Sequence, residues 1–81
     1  MRIRVKFFAI LRDLVGVPEA SLDLPDNSNI NNVAQHLAER FPTIRQHLPR
    51  VAYALNLTYA KPDAQLHDGD ELALIPPVSG G

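Results

Sequence analysis

The sequence of 81 residues predicts an α+β fold in which one main helix packs on one face of a mixed sheet. Several short segments alternate apolar and polar side chains with the two-residue period of half-buried strands. One stretch, residues 30–41, instead carries apolar side chains at three- and four-residue spacing, which is typical of an amphipathic helix. The chain is too short for two domains, so both patterns are expected to serve one core.

The N-terminal segments predict two strands joined by a short helix. Residues 1–8 alternate apolar side chains with basic ones, so one face of the strand is expected to meet the core and the other to meet water. Residues 9–15 fit one or two helical turns that end at Gly16. Residues 19–24 alternate again, and the two strands are expected to pair as a hairpin-like unit.

The main helix is predicted over about three turns within residues 30–41. Ser28 or Asn29 can accept hydrogen bonds from its first amide groups, although no Glu or Gln is placed to complete a capping box. Pro42 is expected to end the helix, because a proline disfavours helical geometry in the residue before it.

The C-terminal half predicts two further strands and a short edge strand. Residues 51–57 carry little charge on either face, which favours a central or covered position in the sheet. Residues 59–66 contain a proline and indicate a loop with a short edge strand. The turn sequence of residues 68–70 precedes the last strand, residues 71–75, and Pro76 stops that strand.

Composition excludes several classes of function. The sequence has no cysteine, which rules out a disulfide framework, a zinc ribbon, an iron–sulfur cluster and a catalytic thiol. It has 8 Lys and Arg against 9 Asp and Glu, so no nucleic-acid partner is indicated. No apolar run approaches the roughly 20 residues of a membrane span, and no signal peptide is recognisable. A cytoplasmic protein without a membrane partner is therefore expected.

Side chains that carry chemistry are sparse. His36, His47 and His67 lack metal-ligand spacing. Asp68 and Asp70 flank a glycine but lack the further ligands of a calcium loop, so a tight turn is the simpler interpretation. The sequence therefore predicts no metal site and no catalytic residue set for the domain alone.

The end of the sequence offers a different chemistry. Pro76 and Pro77 restrict the exit direction, and residues 76–81 reach up to about 20 Å when extended. Gly80 and Gly81 have no Cβ, so they can thread a narrow channel. The α-carboxylate of Gly81 is ionised at neutral pH and can attack the α-phosphate of ATP in the active site of a partner, giving a carboxyl adenylate.

Such a tail needs a docking face on the domain. Ordering its six residues costs about 6–12 kcal/mol, and a peptide with so little side-chain area binds weakly by itself. By strand parity, Phe8 and Ile75 project from the solvent face, and they meet at one end of the sheet if the first and last strands are parallel. Tyr59 can join them, and three large apolar side chains at about 1.5–3 kcal/mol each offset much of the cost. The alternative is that loops cover Phe8 and Ile75.

Five segments together resemble the MoaD family, the small subunits of molybdopterin synthase. They are residues 5–9, 14–16, 54–56, 68–72 and 75–81. The ending Pro-Pro-Val-Ser-Gly-Gly is the most specific of them, and the resemblance spans the whole sequence. It implies the ubiquitin-like β-grasp fold, with residues 1–75 as the domain and residues 76–81 as a flexible tail.

The same resemblance implies a sulfur carrier without turnover of its own, which itself binds no cofactor. A MoeB-like enzyme would use ATP and magnesium to adenylate Gly81, and sulfur from a donor system would replace AMP to give a thiocarboxylate. The tail would then enter a MoaE-like large subunit, which carries the catalytic residues, within a heterotetramer. There the sulfur would pass to cyclic pyranopterin monophosphate in molybdenum cofactor biosynthesis. The residues assigned to the tail are Pro77, Val78, Ser79, Gly80 and Gly81, and those assigned to docking are Phe8, Tyr59 and Ile75.

Other functions use the same features. A sulfur carrier for thiazole, cysteine or tRNA thiolation has the same terminal chemistry with a different acceptor. A ubiquitin-like modifier joins Gly81 to lysines through an isopeptide bond, and a plain adaptor uses only the apolar docking face.

Overall fold

The computed structural model describes residues 1–77 and confirms the predicted α+β class. The elements in chain order are β1 (Arg2–Phe7), α1 (Ile10–Val15), β2 (Glu19–Asp23), α2 (Ile30–Arg40), β3 (Ala52–Leu55), β4 (Thr58–Ala60) and β5 (Glu71–Ile75). Two 3₁₀ turns, Pro42–Ile44 and Leu48–Arg50, connect α2 to β3.

Within the described residues, five strands form one mixed sheet in the order β2-β1-β5-β3-β4. β1 pairs antiparallel with β2 and parallel with β5, whereas β3 is antiparallel to both β5 and β4. The hairpin-like pair and the parallel pairing of the first and last strands are both confirmed. Because parallel strands end at the same edge, the residues that follow β1 and β5 leave the sheet side by side.

The core lies between one face of the sheet and α2. The alternation predicted for β1 is confirmed, since Ile3, Val5 and Phe7 are at most 2% exposed. From the helix side, α2 contributes Ile30, Val33 and Leu37, all fully buried. The remaining core side chains of the strands, turns and loops are Leu11, Leu22, Leu24, Ile44, Leu48, Tyr53, Leu66, Leu72 and Leu74. Each fully buried apolar side chain of this core contributes about 1.5–3 kcal/mol to stability.

Both helices end as their sequences predict. The α1 helix stops at Gly16, whose φ of 90° is left-handed and whose N–H donates to the carbonyl of Arg12 at 2.8 Å. The α2 helix stops at Phe41, immediately before Pro42. No helix within residues 1–77 has the length and apolarity to cross a membrane.

The start of α2 differs from the sequence expectation in one respect. The Asn29 side chain accepts from the Asn32 N–H at 3.0 Å, and the Asn32 side chain accepts in return from the Asn29 N–H at 2.8 Å. A capping box is therefore present, although neither Glu nor Gln forms it. The short Asn side chain replaces them because its carbonyl oxygen reaches the same amide.

The strand predicted over residues 51–57 is shorter than expected. β3 does occupy an internal position between β5 and β4, but it ends at Leu55. Asn56 and Leu57 form a two-residue hairpin loop with φ angles of 49° and 72°, and Leu57 is 91% exposed. Thr58 resumes pairing opposite Leu55 and opens β4, the short edge strand that the sequence indicated.

Candidate functional site

The face of the sheet opposite α2 carries an apolar groove of about 390 Å³. Its lining side chains are Phe8, Ala54, Leu57, Tyr59, Ala73 and Ile75. None of these six residues is charged, and the Tyr59 hydroxyl is their one polar side-chain group. The groove therefore has the chemistry of a docking surface for an apolar partner segment.

Strand register explains the shape of the groove. Lys6 of β1 lies opposite Ala73 of β5. Ala73 also lies opposite Ala54 of β3, which in turn lies opposite Tyr59 of β4. Two neighbouring alanines thus form the floor, and the small Cβ groups leave a depression between larger side chains.

The three predicted docking residues come together at this groove. The pairing of Phe7 with Leu74 places the next residues of the two strands, Phe8 and Ile75, at the same edge of the sheet. Phe8 is 44% exposed and Tyr59 is 74% exposed, while Ile75 is half-buried. No loop in the described part of the chain covers them completely, and their role in binding a partner stays a prediction.

The sequence analysis missed three lining residues. Ala54 and Ala73 had a usable signal, because strand parity puts Ala73 on the same face as Ile75 and cross-strand pairing then adds Ala54. The sequence carried no such signal for Leu57. The alternation of residues 51–57 predicted that the Leu57 side chain lies on the same face of the sheet as that of Tyr53. The hairpin loop turns Leu57 to the opposite side instead.

The predicted tail leaves the sheet beside this groove. Ile75 is the last residue of β5, Pro76 is half-buried and Pro77 is exposed. The functional assignments of Val78, Ser79, Gly80 and Gly81 lie outside the described residues.

A charge cluster borders the groove without entering it. Glu71 Oε1 lies 3.2 Å from Arg4 Nη2 and 3.3 Å from Lys6 Nζ. Exposed ion pairs of this kind contribute little to stability, with a typical value of about 0–1 kcal/mol. Both basic side chains contact Glu71, which lies two residues before the floor residue Ala73 on β5.

The acidic residues of the predicted turn have structural partners. Asp68 Oδ1 accepts from the Arg2 N–H at 2.7 Å. Asp70 accepts from Asn56 Nδ2 at 2.9 Å and from the His67 N–H at 2.7 Å. These bonds join the turn to β1 and to the hairpin loop, which supports the tight-turn interpretation. Among residues 1–77, no group of three His, Cys, Asp or Glu side chains is arranged to hold a metal ion.

The sheet order, the main helix across one face and the apolar groove on the other define the protein as a ubiquitin-like β-grasp protein. The sequence model of the ThiS family matches residues 5–81, and the chain belongs to this family.

Individual known proteins are similar over nearly the whole chain. The sequence is 38% identical over 81 residues to the molybdopterin synthase sulfur carrier subunit of Arabidopsis thaliana, covering 100% of this chain and 84% of that protein. A putative molybdopterin converting factor subunit 1 from Pyrococcus furiosus has a TM-score of 0.88 at 28% identity, covering 96% of this chain and 99% of the other. SAMP1 of Haloferax volcanii, small archaeal modifier protein 1, has a TM-score of 0.91 at 25% identity over 100% of both chains. The resemblance drawn from the sequence motifs is confirmed.

Proposed function

We propose that this chain is the sulfur carrier subunit of a molybdopterin synthase. The observation that carries the proposal is the apolar groove, which reaches the edge of the sheet where β5 ends and the chain continues toward Gly81. A protein that offers its terminal carboxylate to another active site needs such a docking face. The function named for the Arabidopsis relative supports the same assignment.

The proposed chemistry takes place at the carboxylate of Gly81. A MoeB-like activating enzyme supplies ATP and magnesium, a carboxylate oxygen attacks the α-phosphate, and pyrophosphate leaves. Sulfur from a donor system, delivered at the oxidation state of hydrosulfide, then attacks the acyl carbon of the adenylate, and AMP leaves. The product is a thiocarboxylate, which donates its sulfur to cyclic pyranopterin monophosphate. The chain itself would bind no cofactor.

The proposed partner is a MoaE-like large subunit that supplies the catalytic residues. Phe8, Tyr59 and Ile75 would dock against it, while Pro77, Val78, Ser79 and Gly80 would lead Gly81 into its active site. In this arrangement the large subunits form the centre of a heterotetramer with one carrier at each end. The cytoplasm, which provides ATP, is the proposed location.

Intact-mass spectrometry tests the proposal. The protein is incubated with a MoeB-like enzyme, ATP, magnesium and a sulfur donor. We expect a mass gain that equals the replacement of one oxygen by sulfur, and loss of that gain when the chain is extended by one alanine after Gly81. Adducts on lysines of other proteins, with no sulfur gain, would contradict the proposal.

A second candidate function is protein modification through an isopeptide bond at Gly81. The observation that favours it is the similarity to SAMP1, whose fold matches at a TM-score of 0.91. A carrier for thiazole, cysteine or tRNA thiolation would pass the mass test as well. Pull-down separates it, because such a carrier would capture a thiazole synthase or another acceptor enzyme and leave the MoaE-like subunit unbound.

A further inference from the structure

The backbone conformation at Leu57 is unfavourable for a leucine. It is the second residue of a two-residue hairpin loop, and both loop residues have positive φ. Loops of this type prefer Asn followed by Gly, because only glycine adopts the second conformation without steric cost. Asn56 follows the preference, and Leu57 does not.

Solvent exposure adds to this backbone cost. Leu57 is 91% exposed, the highest value among the large apolar residues outside the core in the described part of the chain. Its side chain therefore gains almost nothing from packing in the isolated domain. Strained backbone positions of this kind cluster at functional sites, where the surrounding structure holds them in place.

The position of Leu57 relates it to the proposed docking groove. Phe8 and Ile75 lie at the edge where β5 ends, whereas Leu57 follows Asn56, which bonds to Glu71 at the start of β5. The groove thus runs along β5, with Leu57 at the end distant from the tail. A partner that receives the tail and contacts Leu57 would cover the full length of the groove.

We propose that Leu57 is an anchor residue that inserts into an apolar depression of the large subunit of molybdopterin synthase and helps to select that partner. The inference rests on the proposed function. The chemistry expected of the partner surface follows from the groove, whose six lining side chains carry no charge. The matching surface of the large subunit is therefore uncharged and apolar opposite Leu57.

Two substitutions separate a binding role from a folding role. Leu57→Gly relieves the backbone conformation and removes the side chain, and Leu57→Asn keeps a residue that tolerates positive φ but replaces the apolar group. Leu14→Asn is the matched control, because Leu14 is an exposed leucine of α1 outside the groove. Affinity for the large subunit of the same organism is measured by titration calorimetry, and thermal unfolding is measured on each free variant.

We expect both Leu57 variants to bind about tenfold more weakly, because a buried leucine side chain is lost from the interface. The melting temperature of Leu57→Gly should equal or exceed that of the unaltered protein, and Leu14→Asn should bind as the unaltered protein does. Unchanged affinity of both Leu57 variants, or a clear fall in the melting temperature of Leu57→Gly, would overturn the inference and leave the proposed function standing. If the unaltered protein does not bind the large subunit, the proposed function fails and this inference fails with it.

Discussion

Single side chains give the face of this sheet opposite α2 its apolar groove. Ala54 and Ala73 are adjacent on the face opposite α2, and their small size creates the groove floor. Larger residues at either position would fill the depression with the protein's own atoms. The floor can thus be tested separately from the core, because neither alanine contributes to the buried face of the sheet.

The substitution Ala73→Met should close the groove while the fold remains intact. Methionine extends toward the solvent side, so the melting temperature should change little. Affinity for the proposed large-subunit partner should fall by about tenfold or more, in line with a cost of about 1–3 kcal/mol for overpacking a complementary surface. Calorimetric titration provides the measurement. The control is Ser21→Met, since Ser21 is exposed on the edge strand β2 opposite Arg4 and does not line the groove, and equal losses for both variants would contradict the assignment.

At the scale of elements, α2 depends on a cap formed by two asparagines. The reciprocal bonds between Asn29 and Asn32 give two main-chain N–H groups at the start of the helix a side-chain acceptor each. They fix the point where the chain enters the helix, and hence which residues of α2 face the sheet.

Replacing Asn32 by alanine should destabilise the protein through this cap. We expect a loss of about 1 kcal/mol, the usual net contribution of one hydrogen bond, relative to Asn31→Ala, which changes a neighbouring exposed asparagine outside the box. For a domain of this size, the difference corresponds to about 4–8 °C in melting temperature. Calorimetry or circular dichroism melts of the two variants measure it, and identical melting temperatures would show that the box contributes nothing.

Much of the element pattern is predictable from sequence because it rests on periodicity. The alternation in β1 identified Ile3, Val5 and Phe7 as core residues, and parity placed Phe8 and Ile75 on the other face. The hairpin loop was not predictable, since Leu57 shares the apolar character of the strand before it and lacks the glycine that normally marks such a loop. Its position is set by the bonds of Asn56 to Asp70 and Glu71, which are distant in sequence.

At the scale of the whole molecule, one buried phenol contributes a pH dependence to stability at alkaline pH. Tyr53 is 8% exposed, and its burial raises the pKa of the hydroxyl above the ordinary value of 10.0. The folded state therefore holds this proton more tightly than the unfolded chain does. The contribution of Tyr53 to the free energy of unfolding is fully present below a pH of about 10. It is lost as the pH rises through the raised pKa of the folded state.

Alkaline unfolding measures this effect. The free energy of unfolding from urea titrations should fall more steeply above pH 10 for the unaltered protein than for Tyr53→Phe, which keeps the ring and removes the ionisable group. Tyr59→Phe is the control, because it removes the hydroxyl of a tyrosine that is 74% exposed. Equal slopes for Tyr53→Phe and the unaltered protein would refute the assignment.

The parallel pairing of β1 with β5 has a consequence for biosynthesis. Arg4 and Glu71, which face each other in this ladder, are separated by 67 positions in the chain. During translation β1 is synthesised first. Its parallel neighbour β5 is available for pairing only after almost all of the intervening polypeptide has emerged from the ribosome. An interrupted nascent chain therefore lacks the central ladder and the apolar groove built on it.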